Sequence, residues 1–145
     1  LAWAGASALQ GKYGERLGNH RITMISLSLL LMALLCVLLA ALFGISPLVV
    51  VIGWVLAGGG MGLLYPRLTV LTLAYSDESN QGFNSSALSI SDSTGSAVTI
   101  AFAGLAVATL GGGASTFWVV FVFCLALVGA AAIPGLRLGH AAERS

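Results

Sequence analysis

Two charged side chains, Arg67 and Asp92, interrupt otherwise apolar segments of this 145-residue sequence. Ionisable side chains are costly within a membrane and commonly mark the path of a substrate or of protons. Asp92 also belongs to a polar stripe at helical spacing, which comprises Ser85, Ser89, Asp92, Ser96 and Thr99. A carboxylate among hydroxyl groups can carry a proton or hydrogen-bond a polar solute. Arg67, Asp92, Ser89 and Ser96 are therefore candidates for a substrate or proton pathway.

Each charge also has a simpler interpretation. Arg67 could extend its side chain to the headgroup region of the membrane. Asp92 could cap a helix that begins at Ser93. Counted from the loop between them, both charges lie about eight residues along their helices, which is roughly 12 Å. A structural ion pair between Arg67 and Asp92 is therefore a third possibility.

No other pattern predicts catalysis, a cofactor or a metal site. Cys36 and Cys124 lie in different apolar segments, where cysteine commonly packs as a small apolar side chain. His20 and His140 are isolated from other metal-ligating residue types. The glycine run at 58–62 lacks the Lys-Ser/Thr pair of a phosphate-binding loop. No basic stripe indicates a nucleic-acid partner, so we expect neither an enzyme nor a cofactor.

The composition is that of a membrane protein. Hydrophobic residues make up 58% of the sequence and charged residues only 8%, whereas soluble domains carry about 25% charged residues. Residues 22–66 and 93–136 contain no charged side chain. Because a spanning helix needs about 20 apolar residues, each of these segments can hold two crossings and a turn. The sequence predicts an all-α integral membrane protein with four full transmembrane helices.

Turn residues divide each charge-free segment into two spans. Gly44 to Pro47 interrupts the first segment, and Gly111 to Ser115 interrupts the second, with Ser115 or Thr116 available as a helix cap. The predicted transmembrane helices cover residues 22–43, 47–75, 84–110 and 116–133. The remaining segments are the end of a truncated helix at 1–9, loops at 10–21 and 76–83, and a tail at 134–145.

The basic residues predict the orientation of the chain. With four crossings, the two loops and the C-terminal tail lie on one side of the membrane, and they contain or adjoin Lys12, Arg16, Arg21, Arg137 and Arg144. The two opposite turns contain no charge. Since Lys and Arg concentrate on the cytoplasmic side, we expect loops 10–21 and 76–83 and the C-terminus to be cytoplasmic, in the plasma or inner membrane.

The four spans differ in polarity. The first and fourth are apolar nearly all round, which suits contact with lipid. The second and third carry glycine, proline and hydroxyl residues, which suit contact with protein or with a water-filled cavity. The expected packing or hinge positions are Gly58, Gly62, Pro66 and Gly95. We favour close packing with some bending, because Pro66 leaves the carbonyl of Gly62 without its amide partner.

A short motif precedes the first full span. Gly11, Glu15, Arg16 and Gly18 match, position for position, the signature cytoplasmic loop of the major facilitator superfamily, although Tyr13 and Glu15 replace the commoner Leu and Asp. In that family the motif lies between helices two and three and again between helices eight and nine. Four spans follow it here. The chain therefore resembles a C-terminal fragment that covers the end of helix eight and helices nine to twelve.

Two further segments carry the resemblance. Gly60 to Pro66, which includes Tyr65, is similar to the glycine-rich tenth helix, and Gln81 to Gly95 is similar to the loop and start of the eleventh. In that family helices nine and twelve face lipid, helix ten lines the cavity, and helix eleven packs between the two halves. The resemblance adds Tyr65 to the pathway candidates.

The resemblance implies a secondary transporter that works by alternating access, with proton-coupled efflux of drugs or other small organic molecules as the expected subclass. Glu15 and Arg16 would latch helix ends in one conformation, with Gly11 and Gly18 permitting the turn and Arg21 completing the motif. The expected partners are membrane lipid, a small-molecule substrate, protons and the missing N-terminal helices. The alternative is a non-transporting multi-helix membrane subunit or scaffold.

Overall fold

The computed structural model describes residues 1–141, apart from the side chains of Glu15, Ala114 and residues 134–141. The described chain forms five α-helices, which are α1 (Ala2–Leu17), α2 (Asn19–Phe43), α3 (Pro47–Ala74), α4 (Gln81–Leu110) and α5 (Ala114–Ala141). Four of them, α2 to α5, contain segments long and apolar enough to cross a membrane. The predicted all-α membrane fold is confirmed.

Local sequence explains where the helices begin and end. Gly44 ends α2 with a φ of 60°, and Gly111 ends α4 with a φ of 81°, which are left-handed conformations that favour glycine. At the start of α3, the Ser46 hydroxyl accepts a hydrogen bond from the Leu48 amide at 3.4 Å. Pro47 occupies the first turn, where a missing amide proton costs nothing.

The segment at 10–21 is not the loop that the sequence suggested. α1 continues through Leu17 and α2 starts at Asn19, so the only break in this segment is Gly18, whose φ is 75°. Gly11 remains helical and does not form a turn. The chain can reverse here at one residue because glycine adopts a positive φ without a steric penalty.

Two other boundaries also differ from the sequence interpretation. α4 begins at Gln81, three residues before the predicted start, because the turn at Asp77 already provides its first hydrogen bonds. α5 begins at Ala114 and continues to Ala141, so much of the predicted tail is helical. Residues 142–145, which include Arg144, lie outside the described residues.

The helices pack around α3. Helix α3 contacts α1 and α2 extensively and α4 more sparingly, while α5 packs mainly against the other side of α2. Between α4 and α5, the rings of Phe102 and Phe123 stack at 3.9 Å. α4 therefore has the least cover from the rest of this chain, and Ala106 is its one buried residue among those described.

Glycines allow α3 to approach α2 closely. A Cβ atom added to Gly60 would lie 2.9 Å from the Ser26 carbonyl oxygen, and one added to Gly53 would lie 3.1 Å from the Ala33 carbonyl oxygen. These positions are seven residues apart on both helices, as expected for an antiparallel seam. The contact is made by backbone against backbone, with no room for a side chain on α3.

A second pair of glycines performs the same role toward α1. A Cβ on Gly62 would lie 2.5 Å from the Trp3 carbonyl oxygen, and one on Gly58 would lie 3.3 Å from the Ala2 Cβ. The structure thus places Gly58 and Gly62 in a close helix contact. It does not place Gly95 in one, because a Cβ there would meet nothing within 4 Å in the described residues.

Large apolar side chains cover the outside of the bundle. On α2 these include Met32, Leu35 and Leu39, and on α5 they include Phe117 and Val122, all of which are exposed. An exposed apolar surface of this extent is unfavourable in water but not in lipid. Both helices that the sequence assigned to the lipid face do present such a surface, although α2 also packs between α3 and α5.

Substituting Gly62 with Ala should destabilise the α1–α3 contact. The added methyl group would overlap the Trp3 backbone, and overpacking of this kind costs about 1–3 kcal/mol. Gly59→Ala is the matched control, because its Cβ would meet only a Leu29 methyl group at 3.8 Å. The thermal unfolding temperature of the detergent-solubilised protein should fall for Gly62→Ala and not for Gly59→Ala. Equal effects would contradict the close contact.

Candidate functional site

The polar stripe of α4 is exposed in this structure. Ser85, Ser89, Asp92 and Ser96 are all exposed, and Thr99 is half-buried. The Thr99 hydroxyl donates a hydrogen bond at 2.8 Å to the Gly95 carbonyl within the same helix. The other members of the stripe make no side-chain hydrogen bond to the described residues. Their polar groups remain available to water, protons or a ligand.

Asp92 lies in the interior of α4. The helix begins at Gln81, eleven residues earlier, so the interpretation of Asp92 as a helix cap is wrong. Asp92 is about 5 Å along the axis from the middle of this 30-residue helix. Because α4 is long and apolar enough to cross a hydrocarbon layer about 30 Å thick, a charged carboxyl group within that layer would need water or a polar partner beside it.

Arg67 lies nearer the end of its helix than Asp92 does. It is seven residues before Ala74, or roughly 10 Å along α3, whereas Asp92 is roughly 16 Å from the start of α4. The similar membrane depth inferred from the sequence stays a prediction. Within the described residues no ion pair joins Arg67 to Asp92, and the buried Nε of Arg67 has no hydrogen-bond acceptor.

The α2–α3 seam brings Arg67 to the start of α2. Gly53 is level with Ala33, and Gly60 is level with Ser26. One further step of seven residues along this antiparallel register makes Arg67 level with Asn19. The Asn19 Oδ1 is likewise buried and has no hydrogen-bond donor among the described residues. A donor and an acceptor that could satisfy each other thus lie at the same level of one seam, beside the break at Gly18.

Pro66 creates a vacant acceptor that α1 fills. Proline has no amide proton, so the Gly62 carbonyl cannot receive its usual bond within α3. The Ser7 hydroxyl donates to this carbonyl at 3.0 Å. Nearby, the rings of Trp3 and Tyr65 lie 6.1 Å apart in a tilted arrangement. α3 remains a continuous helix through Pro66, and a neighbouring helix supplies a donor for the Gly62 carbonyl.

The signature motif lies at the junction of α1 and α2. Arg16 is exposed in the last turn of α1, where a cation interacts favourably with the helix dipole. Arg21 is exposed in the first turn of α2. The backbone of Glu15 belongs to the last turn of α1, and its side chain lies outside the described residues. Of the two motif glycines, only Gly18 adopts a turn conformation.

An apolar cavity of about 380 Å³ lies between α2, α3 and α5. Its walls include Leu34, Trp54, Met61, Phe121 and Cys124, and no residue of α4 contributes to it. Both cysteines are free and half-buried. Because no charged group and no member of the polar stripe lines it among the described residues, the cavity does not extend the candidate pathway.

Ser7 and Asn19 were not identified as candidates from the sequence. Ser7 lies in a short apolar segment that predicts only the end of a helix, and nothing in its neighbourhood indicates a bond to residue 62. The available signal was the proline, since Pro66 requires a donor for the Gly62 carbonyl and a hydroxyl on a neighbouring helix is a common solution. Asn19 has no such signal in the sequence.

The bond from Ser7 to Gly62 can be tested with a double-mutant cycle. Ser7→Ala should destabilise the protein by about 0.6 kcal/mol, the average for hydrogen bonds between membrane helices. Pro66→Ala restores an amide donor for the Gly62 carbonyl, so Ser7→Ala should cost less in that background. Reversible unfolding in mixed detergent micelles provides the four free energies. An equal cost of Ser7→Ala in both backgrounds would contradict the assignment.

Comparison with protein families adds an independent result. Residues 1–143 match the Major Facilitator Superfamily. No curated protein and no solved structure matches the chain. The family match covers α1 to α5, the junction at Gly18 and the polar stripe of α4. The chain therefore belongs to the major facilitator superfamily, a family of multi-pass membrane transporters.

Proposed function

We propose that this chain forms part of a secondary active transporter that exports drugs or other small organic molecules in exchange for protons. The observation that carries the proposal is the exposed carboxyl group of Asp92 near the middle of a membrane-spanning helix. Ionisable groups within membrane-spanning helices commonly mark proton pathways, and Asp92 has no cationic partner among the described residues.

The surroundings of Asp92 suit this role. Ser89 and Ser96 lie one turn before and one turn after it on the same helical face. Their hydroxyl groups can donate to the carboxylate or accept from the carboxylic acid, so both protonation states can be accommodated. Water reaching this face would connect Asp92 to one side of the membrane at a time in an alternating-access cycle.

We expect the polar face of α4 to pack against other helices of the transporter. In this chain α4 is the helix with the least cover, and an exposed polar face is unfavourable against lipid. We assign that cover to helices that precede residue 1 in the full transporter, with a water-filled cavity between. Substrate would occupy the cavity, and Tyr65 and Arg67 of α3 are candidates to contact it.

The junction of α1 and α2 would control the cycle. In the proposed latch, Glu15 and Arg16 bond to neighbouring helix ends in one conformation and release them in the other. The single-residue break at Gly18 keeps the backbone of both residues in the last turn of α1. The basic residues here support a cytoplasmic position for this end, in a plasma or inner membrane.

Replacing Asp92 with Asn removes the titratable group and changes the side-chain volume little. In the full-length transporter reconstituted into liposomes, Asp92→Asn should reduce dye movement driven by a pH gradient at least tenfold. Ethidium is a suitable first probe in a panel of organic dyes. The variant should still enter the membrane and unfold at the same temperature, because Asp92 makes no ion pair or hydrogen bond within the described residues.

Glu78→Gln is the matched control, since this acidic residue is exposed in the turn between α3 and α4 and lies outside both helices. It should leave dye movement unchanged. Proton-driven transport that survives in Asp92→Asn, or that is lost equally in Glu78→Gln, would overturn the assigned role of Asp92.

A further inference from the structure

A cleft of about 340 Å³ lies between the last turns of α1, the first turn of α2 and α3. Its walls are mostly apolar and are formed by Leu9, Tyr13, Leu17, Ile22 and Leu63. Leu9 is 59% exposed and Tyr13 is 40% exposed, so the cleft opens sideways from the bundle. It is separate from the polar stripe of α4, although Arg16 of the proposed latch also lines it.

Two polar side chains also form part of this cleft. Gln10 is only 8% exposed, yet its amide makes no hydrogen bond to any described residue. The amide nitrogen and oxygen are not fully enclosed, so a group that enters the cleft can hydrogen-bond to them. Arg16 lines the same cleft from one and a half turns further along α1 and is exposed.

The groups that line the cleft follow one another along α1 in the same order as the parts of a phospholipid. Arg16 lies in the last turn of α1 and can bind an anion, and Gln10 lies about 9 Å closer to the start of that helix. Leu9 and Leu63 are apolar and lie beside Gln10. A phospholipid presents its groups in the same order, with a phosphate, then ester carbonyls, then acyl chains. Basic pockets between transmembrane helices are a known means of binding anionic headgroups.

The excess of basic residues near the cleft favours anionic over uncharged phospholipids. Lys12, Arg16 and Arg21 lie within one short segment around the junction of α1 and α2, against the single acid Glu15. We infer that this cleft binds one anionic phospholipid, with its headgroup at Arg16, its ester region at the Gln10 amide and one acyl chain against Leu9 and Leu63. The lipid would hold the α1–α2 junction against α3.

The inference can be tested by native mass spectrometry of the full-length protein, stripped of lipid and then titrated with phosphatidylglycerol or with phosphatidylcholine of the same chains. The wild-type protein should prefer phosphatidylglycerol for its first bound lipid. Arg16→Gln should reduce that preference about fivefold, as expected for one basic residue beside an anionic headgroup. Leu9→Trp, which fills the cleft without changing charge, should weaken binding of the first lipid of either kind.

Lys12→Gln is the matched control, because it removes a positive charge from the same turn region without lining the cleft. It should change the preference less than twofold. An equal effect of Lys12→Gln and Arg16→Gln would mean that only general attraction to a charged surface operates. Unchanged binding in Leu9→Trp would mean that lipid does not enter the cleft and that another part of the protein covers it. Either result would overturn the inference.

Discussion

The hydrocarbon interior of a membrane provides no hydrophobic force between helices, so helix association there depends on close packing and on hydrogen bonds. In this chain the glycines of α3 permit both the close packing and the hydrogen bond between helices. Gly53 and Gly60 bring its backbone against α2, and Gly58 and Gly62 bring it against α1. The same closeness puts Ser7 within reach of the carbonyl that Pro66 leaves vacant. The arrangement of the other helices depends on this two-sided contact.

α4 packs differently from α3. It has a continuous row of small and hydroxyl residues, but a Cβ atom added to Gly95 would meet nothing within 4 Å in the described residues. Its hydroxyl groups either bond within the helix, as Thr99 does, or remain available. A helix with a polar face and little packing in its own chain is suited to a boundary with water and with other helices. α3 is therefore held on two sides by its own chain, whereas α4 leaves most of its surface for other contacts.

Much of this fold could be predicted from the sequence, because spans and breaks depend on local properties. Charge-free segments, Pro47 and the glycines that end α2 and α4 are all visible in the sequence. The junction of α1 and α2 differs from the predicted loop, because the polar segment at 10–21 is helical on both sides of Gly18, where the φ is positive. The Ser7 bond and the level of Asn19 depend on which helices become neighbours, and local sequence does not determine this.

The central claim is that the polar face of α4 borders water while the opposite face does not. Cysteine labelling in the full-length protein tests it most directly, after Cys36 and Cys124 are replaced by alanine. Ser96 lies on the polar stripe, and Val98 lies two residues away on the other side of the helix. A charged, membrane-impermeant thiol reagent should label Ser96→Cys at least tenfold faster than Val98→Cys. Equal rates, or faster labelling of Val98→Cys, would contradict the account.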